Sequence, residues 1–313
     1  TPAQNARDYI KVENAKGTFS FTQDVVSPSD EVFSLFGTAL TGMCATPSFV
    51  LEKGEGESTM YVNVCGDIQK AYTVDLNEII DEGRETTRIA LCACSTSSAT
   101  AVGEITGVRL SDVIQMADMA DGVNAVKVVG SDGYGKVLPL EYALEKEAMI
   151  VYKVNGEDVP SATQFWVPQT VAKYFTRDVV NVELIKMDEV PAVDGRADEY
   201  RAQVNILNSA DSAVIAVGDE ISFEGYADDV GEAIESVEFS LDGGEHWTKY
   251  KTKDANSESW VYWNFSYRPE KAGDYKLTVR ATTKSGVVSP LLSSVYFTVA
   301  EASIQAPQSA MGV

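Results

Sequence analysis

Short runs of alternating apolar and polar residues fill the last third of the sequence, and they constrain the fold more than any other feature. The runs are EISFEGYADD, IESVEFSLDGGEHWTKY, SESWVYWNFSY, AGDYKLTVRATTKSG and SSVYFTVA. Alternation predicts strands with one buried face, and the Asp-Gly-Gly of LDGGEHW predicts a tight hairpin because glycine tolerates positive φ. About seven such strands in roughly a hundred residues predict an antiparallel β-sandwich of immunoglobulin-like type.

The same runs predict which side chains fill the core of this sandwich. Residues two apart on a strand point to the same face, so each run contributes one buried row. The residues predicted to be buried are Ile234, Val237, Phe239, Leu241, Tyr275, Leu277, Val279 and Ala281, with Trp260, Trp263 and Phe265 as core or interface aromatics.

The first two thirds of the chain mix two periodicities. TMYVNVCGDI and NAVKVVGSDGYGKVLPL predict strands, whereas TVDLNEIIDEG, RLSDVIQMADMADG and PLEYALEKEA predict short helices. No regular βαβ repeat and no glycine-rich phosphate loop is present, so the class expected is α+β, and nucleotide binding has little support. A polar stretch near residues 190–218 predicts a boundary between domains 1–195, with an N-terminal extension of about 1–55, and 196–313.

Composition excludes several classes of function. With 47 acidic and 25 basic residues the net charge is −22, which disfavours nucleic acid and anionic membranes as partners. No apolar run reaches the roughly 18 residues of a membrane span. The single histidine, His246, lies in the predicted hairpin and is expected at the surface, which disfavours histidine metal sites and Ser-His-Asp catalysis.

Four cysteines, at positions 44, 65, 92 and 94, carry the remaining candidate chemistry. There is no C-x-x-C or C-x-x-C-H motif, which disfavours zinc ribbons, thioredoxin-like redox sites and c-type haem. Cys92 and Cys94, in IALCACSTSS, are too close for an unstrained disulfide, and Cys44 with Cys65 can be paired or unpaired. From the residues alone, Cys92 is either a buried thiol acting as a small apolar group or a metal ligand.

Several motifs occur in an order and spacing that resemble the sulfite oxidase superfamily over residues 60–300. RIALCAC is similar to the strand that ends in this family's molybdenum-ligating cysteine, and GEITGVRLSDVI is similar to W-x-G-V-x-L-x-D-V-L. The other matching segments are YVNVCGDIQKAYTVDLNEI, GSDGYGKVLPLEYAL, IVYKVNGEDVP and VPQTVAKYFTRDVVNVELI. The resemblance implies a mixed α+β molybdopterin-binding domain followed by an immunoglobulin-like domain.

In that family a pterin dithiolene and one cysteine thiolate ligate molybdenum, which performs two-electron oxo transfer. By position, the resemblance implies that Cys92 is the metal ligand and that Cys94 occupies a small-residue position. Tyr134 corresponds to the tyrosine beside the exchangeable oxygen of the metal, where a phenol can donate a hydrogen bond. Lys173 corresponds to a basic position that contacts the cofactor.

The sequence departs from the family pattern at the basic residues. The family's C-x-G-N is followed by arginines, but here ACSTSSATAVGE follows Cys92, with no basic residue before Arg109. The stretch SATQFWVPQ lacks the family's histidine and arginine. Lys136 and Arg177 are the other cations expected to contact the cofactor. The hydroxyl-rich segment that includes Ser95 and Thr96 offers further donors to a phosphate, and FGT at 36–38 is shared with a branch that resembles sulfoxide reductases.

Two functions follow from these observations. One is a molybdenum-dependent oxidoreductase that uses Cys92, forms a homodimer through its immunoglobulin-like domain, and passes electrons to a separate partner because it has no haem motif. The alternative is a cofactor-free binding or assembly protein on a decayed fold. In both cases the resemblance implies an extracytoplasmic protein, periplasmic or secreted, whose leader has been removed.

Overall fold

Strands dominate the architecture. The computed structural model describes residues 8–34, 59–160, 162–208 and 214–301. Its strands, in chain order, are β1 Thr18–Thr22, β2 Tyr61–Gly66, β3 Tyr72–Asp75, β4 Glu85–Ala93, β5 Thr100–Arg109, β6 Ala125–Gly130, β7 Val137–Pro139, β8 Met149–Val154, β9 Glu157–Asp158, β10 Gln164–Trp166, β11 Thr176–Arg177, β12 Val179–Ile185, β13 Gln203–Ile206, β14 Val214–Ala216, β15 Ile221–Asp228, β16 Ile234–Ser240, β17 Thr248–Lys251, β18 Val261–Tyr267, β19 Gly273–Thr283 and β20 Ser293–Ala300.

Helices in the described residues are short. They are α1 Ser29–Ser34, α2 Leu76–Asp81, α3 Leu110–Val113 and α4 Leu140–Glu145, with 3-10 turns at Ala172–Tyr174 and Asp198–Tyr200. The first turn of α2 begins at Asp75, whose carboxylate accepts a hydrogen bond from Asn77 N at 3.0 Å, as an N-cap should. Helices α2 and α4 confirm two of the three predicted helices.

The third predicted helix, over RLSDVIQMADMADG, is reduced to the single turn α3. Beyond this turn the backbone makes one more local bond, from Ala117 N to Ile114 O at 2.9 Å, and then bonds to a loop: Gln69 N donates to Asp118 O at 2.8 Å, and Ala120 N donates to Asp67 O at 2.9 Å. Met116, predicted to lie on the apolar face, is 65% exposed. Because such helices are few and short, the expected α+β class is only loosely met, and the described chain is mostly β.

Two sheets build the first unit. One has the order β11-β10-β8-β5-β4, with β9 paired to β8, and the other has the order β3-β2-β12-β6-β7. The β12–β2 pair is parallel. A single core of apolar residues lies between these sheets and the helices, and it includes both Cys92 and Cys94, each fully buried.

The second unit is a β-sandwich, as the alternating pattern predicted. Its two sheets have the orders β1-β18-β15-β13 and β14-β20-β19-β16-β17. All eight residues predicted from the alternation are buried in its core, together with Trp263 and Phe265, and the Phe239 and Phe265 rings stack at 4.1 Å. Trp260 is buried as well, but in a different cluster.

Strand β1 comes from the start of the chain but pairs with β18 of the sandwich, with Phe19 opposite Phe265. Strand β1 of the predicted N-terminal extension is therefore attached to the second unit, whereas the following residues pack on the first: Ser27 N donates to Val102 O of β5 at 2.7 Å, and Val32 of α1 lies in the first core. The domain division at residue 195 stays a prediction.

The two units meet through an apolar cluster on the outer face of β4. Successive residues of a strand point to opposite faces, so Cys92 points into the first core while Leu91 and Ala93 contact Trp260 of the second unit. Strand β4 is thus shared between the candidate site and the junction. Within the described ranges no helix is both long and apolar enough to cross a membrane.

Candidate functional site

The cysteine pair lies at the end of β4, where the β4–β5 hairpin turns. Cys92 is the register partner of Ala101 on β5. Beyond it, Cys94 N donates to Ala99 O at 2.9 Å, which closes a tight connection that we call the hydroxyl-rich loop, residues 94–99. The Cys94 thiol lies 3.8 Å from the Thr96 hydroxyl, within the range of a weak sulfur hydrogen bond.

A cleft of about 510 Å³ opens beside this loop. Four segments that are distant in sequence line it: the hydroxyl-rich loop, the strand β7 region, the 3-10 turn at Ala172–Tyr174, and the segment before Arg196. The lining residues are Ser95, Thr96, Gly135, Lys136, Val137, Lys173, Tyr174, Pro191, Ala192 and Asp194. Four of the residues predicted to bind the cofactor, Ser95, Thr96, Lys136 and Lys173, therefore lie around one cavity.

Lys173 is held by three contacts. Its ammonium forms an ion pair with Asp194 and lies 5.2 Å from the centre of the Tyr174 ring. Its backbone carbonyl accepts a hydrogen bond from the Tyr134 hydroxyl at 2.5 Å. The hydrogen bond and charge of Lys173 hold the pKa of Asp194 below its usual value, so Asp194 is a carboxylate at neutral pH.

The Tyr134 hydroxyl therefore holds the backbone of Lys173 in place by this hydrogen bond. The backbone around it is a turn: Tyr134 N donates to Asp132 Oδ1 at 2.8 Å, and the Lys136 ammonium lies 5.9 Å from the Tyr134 ring centre. Its predicted place beside a metal-bound oxygen stays a prediction.

Three predicted site residues do not line the cleft: Tyr134, described above, Arg177 and Cys92. Arg177 lies on β11, opposite Gln164 of β10. Cys92 and Cys94 both have no exposed surface and lie in the core, and the Cys94 thiol lies 3.8 Å from the hydroxyl of Thr96, which lines the cleft. Arg109, another cation near this region of sequence, is half exposed and pairs with Glu147 at 3.4 Å.

Other cysteine predictions have a separate outcome. Cys44 and FGT at 36–38 lie outside the described residues. Cys65 is a half-buried thiol on β2, and burial, with a smaller effect of the Glu183 charge, raises its pKa.

Gln169, in the segment VPQTVAKYFTRDVVNVELI, has a backbone conformation in which glycine is the usual residue. Its φ of 58° is in the left-handed region that favours glycine. Its side chain accepts a hydrogen bond from Lys146 at 2.8 Å and donates one to Glu258 of the sandwich, which also pairs with Arg88. The departure from glycine thus provides a contact between the two units.

Sequence reasoning missed Arg196, the most connected cation near the cleft. Its side chain is fully buried and forms an ion pair with Asp228 at 2.6 Å. It also donates to Thr100 Oγ1 at 2.8 Å and to the Cys94 carbonyl at 3.4 Å. The only sequence signal was an arginine in the polar stretch between the domains, and an arginine in such a stretch is usually exposed.

His246 is 60% exposed, as expected, and its Nδ1 lies 2.7 Å from Asp242 Oδ2. Burial opposes ionisation of Asp242. Hydrogen bonds from the His246 backbone, the Ser240 hydroxyl and the His246 ring outweigh that effect and lower its pKa to about 2. This pair stabilises the hairpin and lies outside the cleft lining.

Comparison with known proteins identifies two domains. The oxidoreductase molybdopterin binding domain matches residues 52–187, and a bacterial Ig domain matches residues 203–279. The structure of the sulfane dehydrogenase SoxCD from Paracoccus pantotrophus is 18% identical and covers 74% of this chain and 69% of its own, with a TM-score of 0.61. The chain thus carries an oxidoreductase molybdopterin binding domain followed by a bacterial Ig domain, and its fold is similar to that of SoxCD.

Other comparisons add less. The structure of fibronectin(III)-like modules of CbhA from Clostridium thermocellum is 18% identical and covers 32% of this chain and 99% of its own, with a TM-score of 0.25. No curated protein matches the sequence.

The residues around the cleft can be tested against the cofactor of the sulfite oxidase superfamily. Two lysines and two hydroxyls suit an anionic phosphate, and the cavity of about 510 Å³ is of the size that holds a small-molecule ligand. Close packing of Gly135 keeps one wall in place, since an added Cβ would lie 2.3 Å from Val128 O. The thiols are soft donors of the kind that molybdenum accepts, and the Cys94 thiol lies 3.8 Å from Thr96 of the loop that lines the cleft. The donor set fits the group.

Proposed function

We propose that the chain binds a molybdopterin-type cofactor and acts as an oxidoreductase of the oxo-transfer type. The observation that supports this proposal is the convergence of Ser95, Thr96, Lys136 and Lys173 on one cleft. These residues come from three separate segments, and each was proposed as a cofactor contact from its place in the sequence. When bound, the cofactor would supply two-electron redox chemistry at molybdenum.

The roles of individual residues follow from their chemistry. Lys136 and Lys173 would pair with the phosphate, and the hydroxyls of Ser95 and Thr96 would donate to its oxygens. Cys92 would be the thiolate ligand, and the buried surroundings that exclude water from its sulfur would tune the metal's potential. Tyr134 would hold the Lys173 backbone in place, because its one O–H donates to the Lys173 carbonyl. Donation from the phenol to a bound anion would have to replace this hydrogen bond.

Arg177 is left without a role at the phosphate in this proposal, because it does not line the cleft. Homodimerisation through the sandwich, a separate electron-transfer partner and an extracytoplasmic location complete the proposed assignment.

The experiment is metal and pterin analysis of protein produced in a host that makes the cofactor. We expect about one molybdenum per chain in the unaltered protein. Cys92→Ser should abolish metal retention, while Cys65→Ser, a matched thiol on β2, should leave it unchanged. Lys173→Ala and Lys136→Ala should lower pterin occupancy.

Metal-free protein from such a host would refute the enzyme proposal and favour the alternative, a cofactor-free binding or assembly protein. Two observations favour that alternative: Cys92 is completely buried, and Asp194 already pairs with Lys173.

A further inference from the structure

Arg196 lies between the cleft and the sandwich and bonds to both. On the cleft side it donates to the Cys94 carbonyl at 3.4 Å and to Thr100 Oγ1 at 2.8 Å, at the two ends of the hydroxyl-rich loop. The neighbouring Ala197 N donates to Ser95 O at 2.8 Å. The loop that carries Ser95 and Thr96 is therefore bound from behind by residues 196–197.

On the sandwich side Arg196 is held by two neighbouring strands. Asp228, the last residue of β15, accepts a hydrogen bond from Arg196 Nη1 at 2.6 Å. Gln203, the register partner of Asp228 on β13, is also buried. With its amide oxygen turned towards the guanidinium, Gln203 accepts from Arg196 at 2.9 and 3.1 Å and donates to Ser98 O at 3.2 Å.

These contacts connect the hydroxyl-rich loop to the sandwich through Arg196. Both Gln203 and Asp228 belong to the segment that matches the bacterial Ig domain, and the hydroxyl-rich loop belongs to the molybdopterin-binding segment. Arg196 lies between the two segments in sequence, and its side chain has no exposed surface. A guanidinium can make these directed bonds together because its five N–H donors are fixed in one plane.

We propose that Arg196 is a positioning residue through which the immunoglobulin-like sandwich fixes the conformation of the hydroxyl-rich loop. The sandwich is then part of the cleft and not only an appended domain. Asp228 Oδ2 and the Gln203 amide orient the guanidinium, and the guanidinium fixes Cys94 and Thr100, so the hydroxyls of Ser95 and Thr96 face the cleft in one arrangement.

The test compares Arg196→Lys with Arg201→Lys. Lysine keeps the charge but cannot make the planar set of bonds. Arg201 is a matched control: it lies five residues later in the same connecting segment, and its ion pairs are with Asp229 and Glu232, both at 3.1 Å and both in the sandwich. Gln203→Met is a second variant, which removes the amide contacts without leaving a charge unpaired.

The first measurement is hydrogen exchange of the amides of residues 94–99, together with the urea midpoint of the whole chain. We expect Arg196→Lys and Gln203→Met to speed exchange in the loop about tenfold at urea concentrations far below the midpoint, and Arg201→Lys to leave it unchanged. The same exchange rates in Arg196→Lys and Arg201→Lys, or no change in either folded variant, would overturn the proposal.

The second measurement is the affinity for inorganic phosphate by calorimetry. It rests on the proposed function, because that function identifies the cleft as a phosphate site. Arg196→Lys and Gln203→Met should weaken phosphate binding about tenfold, as the loss of a supporting contact behind a ligand does, while Arg201→Lys should not. If the unaltered chain binds no phosphate, the assignment of the cleft as a phosphate site fails, but the exchange measurement still decides the role of Arg196. Unchanged phosphate affinity in variants with a loosened loop would refute the link from loop to ligand.

Discussion

Asp194 competes with any anion for Lys173, and removing its charge should strengthen anion binding to the cleft. The Lys173 ammonium is paired with the Asp194 carboxylate, whose side chain is 65% exposed. A phosphate that binds Lys173 must displace this carboxylate or share the ammonium with it. Asp194→Asn keeps the shape of the side chain and removes its charge.

The size of the effect has two parts. An exposed ion pair contributes about 0.2–1 kcal/mol, which the anion no longer has to overcome. A carboxylate about 4 Å from a bound anion repels it by about 1 kcal/mol in water. Together these predict tighter binding by about 1–2 kcal/mol, or about five- to thirtyfold in affinity for a singly charged anion.

Isothermal calorimetry with inorganic phosphate at constant ionic strength measures this directly. Asp188→Asn is the control: it makes the same change in net charge at an exposed residue, six positions earlier, that does not line the cleft. Equal affinities for Asp194→Asn and Asp188→Asn would refute the reasoning, because the gain would then come from net charge alone. In a chain that also carries Lys173→Ala there is no ion pair to break. Asp194→Asn should then strengthen phosphate binding only by the loss of its own repulsion, about 1 kcal/mol.

Three further predictions concern stability. Asp242→Asn should lower the free energy of unfolding by at most about 2 kcal/mol at pH 7. Because the pKa of Asp242 is lowered to about 2, the carboxylate stabilises the fold above about pH 4, and this stabilisation is lost as the pH falls towards 2. Urea melts across that pH range measure the loss. Gln169→Gly should destabilise the unaltered chain, since it loses the bonds to Glu258 and Lys146. In a chain that carries Glu258→Ala and Lys146→Ala it should instead stabilise by about 1 kcal/mol, since neither bond is left to lose and the left-handed φ of 58° is relieved; a mutant cycle of thermal melts tests the change of sign. Gly135→Ala should lower the free energy of unfolding by about 1–3 kcal/mol, because its Cβ would lie 2.3 Å from Val128 O. Gly195→Ala has open space around its Cβ, so it should leave the free energy of unfolding nearly unchanged in the same urea melt.

Local patterns predicted the sandwich well because a half-buried strand has a period of two that is visible in a single sequence. Phe239, Leu277 and Trp263 are buried as the alternation required. The pattern failed after α3, where the apolar spacing of a helix was present but the backbone of Asp118 and Ala120 bonds to the Asp67–Gln69 loop. The spacing of apolar residues indicates which face of a helix each side chain would lie on. It does not indicate which groups the backbone N–H and C=O will bond to.

Site residues were predicted from the order of motifs in the chain. This order predicted residues that line the cleft, but it did not predict the ion pairs and hydrogen bonds that those residues make. Lys136 and Lys173, both predicted to contact the cofactor, line the same cavity. The ion pair of Lys173 with Asp194 joins residues 21 apart, and the bond of Arg196 to Asp228 joins residues 32 apart. No periodic signal marks such contacts, because each depends on how separate segments meet in the folded chain.

The two proposed functions differ in what the buried charge behind the loop is for. A buried ion pair such as Arg196–Asp228 contributes little net stability compared with apolar residues of the same volume, because both charges lose their water. A chain that only needed a stable junction could use more apolar contacts like those of Trp260 with Leu91 and Ala93. Directed bonds to the Cys94 carbonyl and the Thr100 hydroxyl instead specify a loop conformation, and a precise loop conformation is required only if Ser95 and Thr96 meet a ligand. The buried arginine therefore favours a ligand-binding cleft over a decayed one.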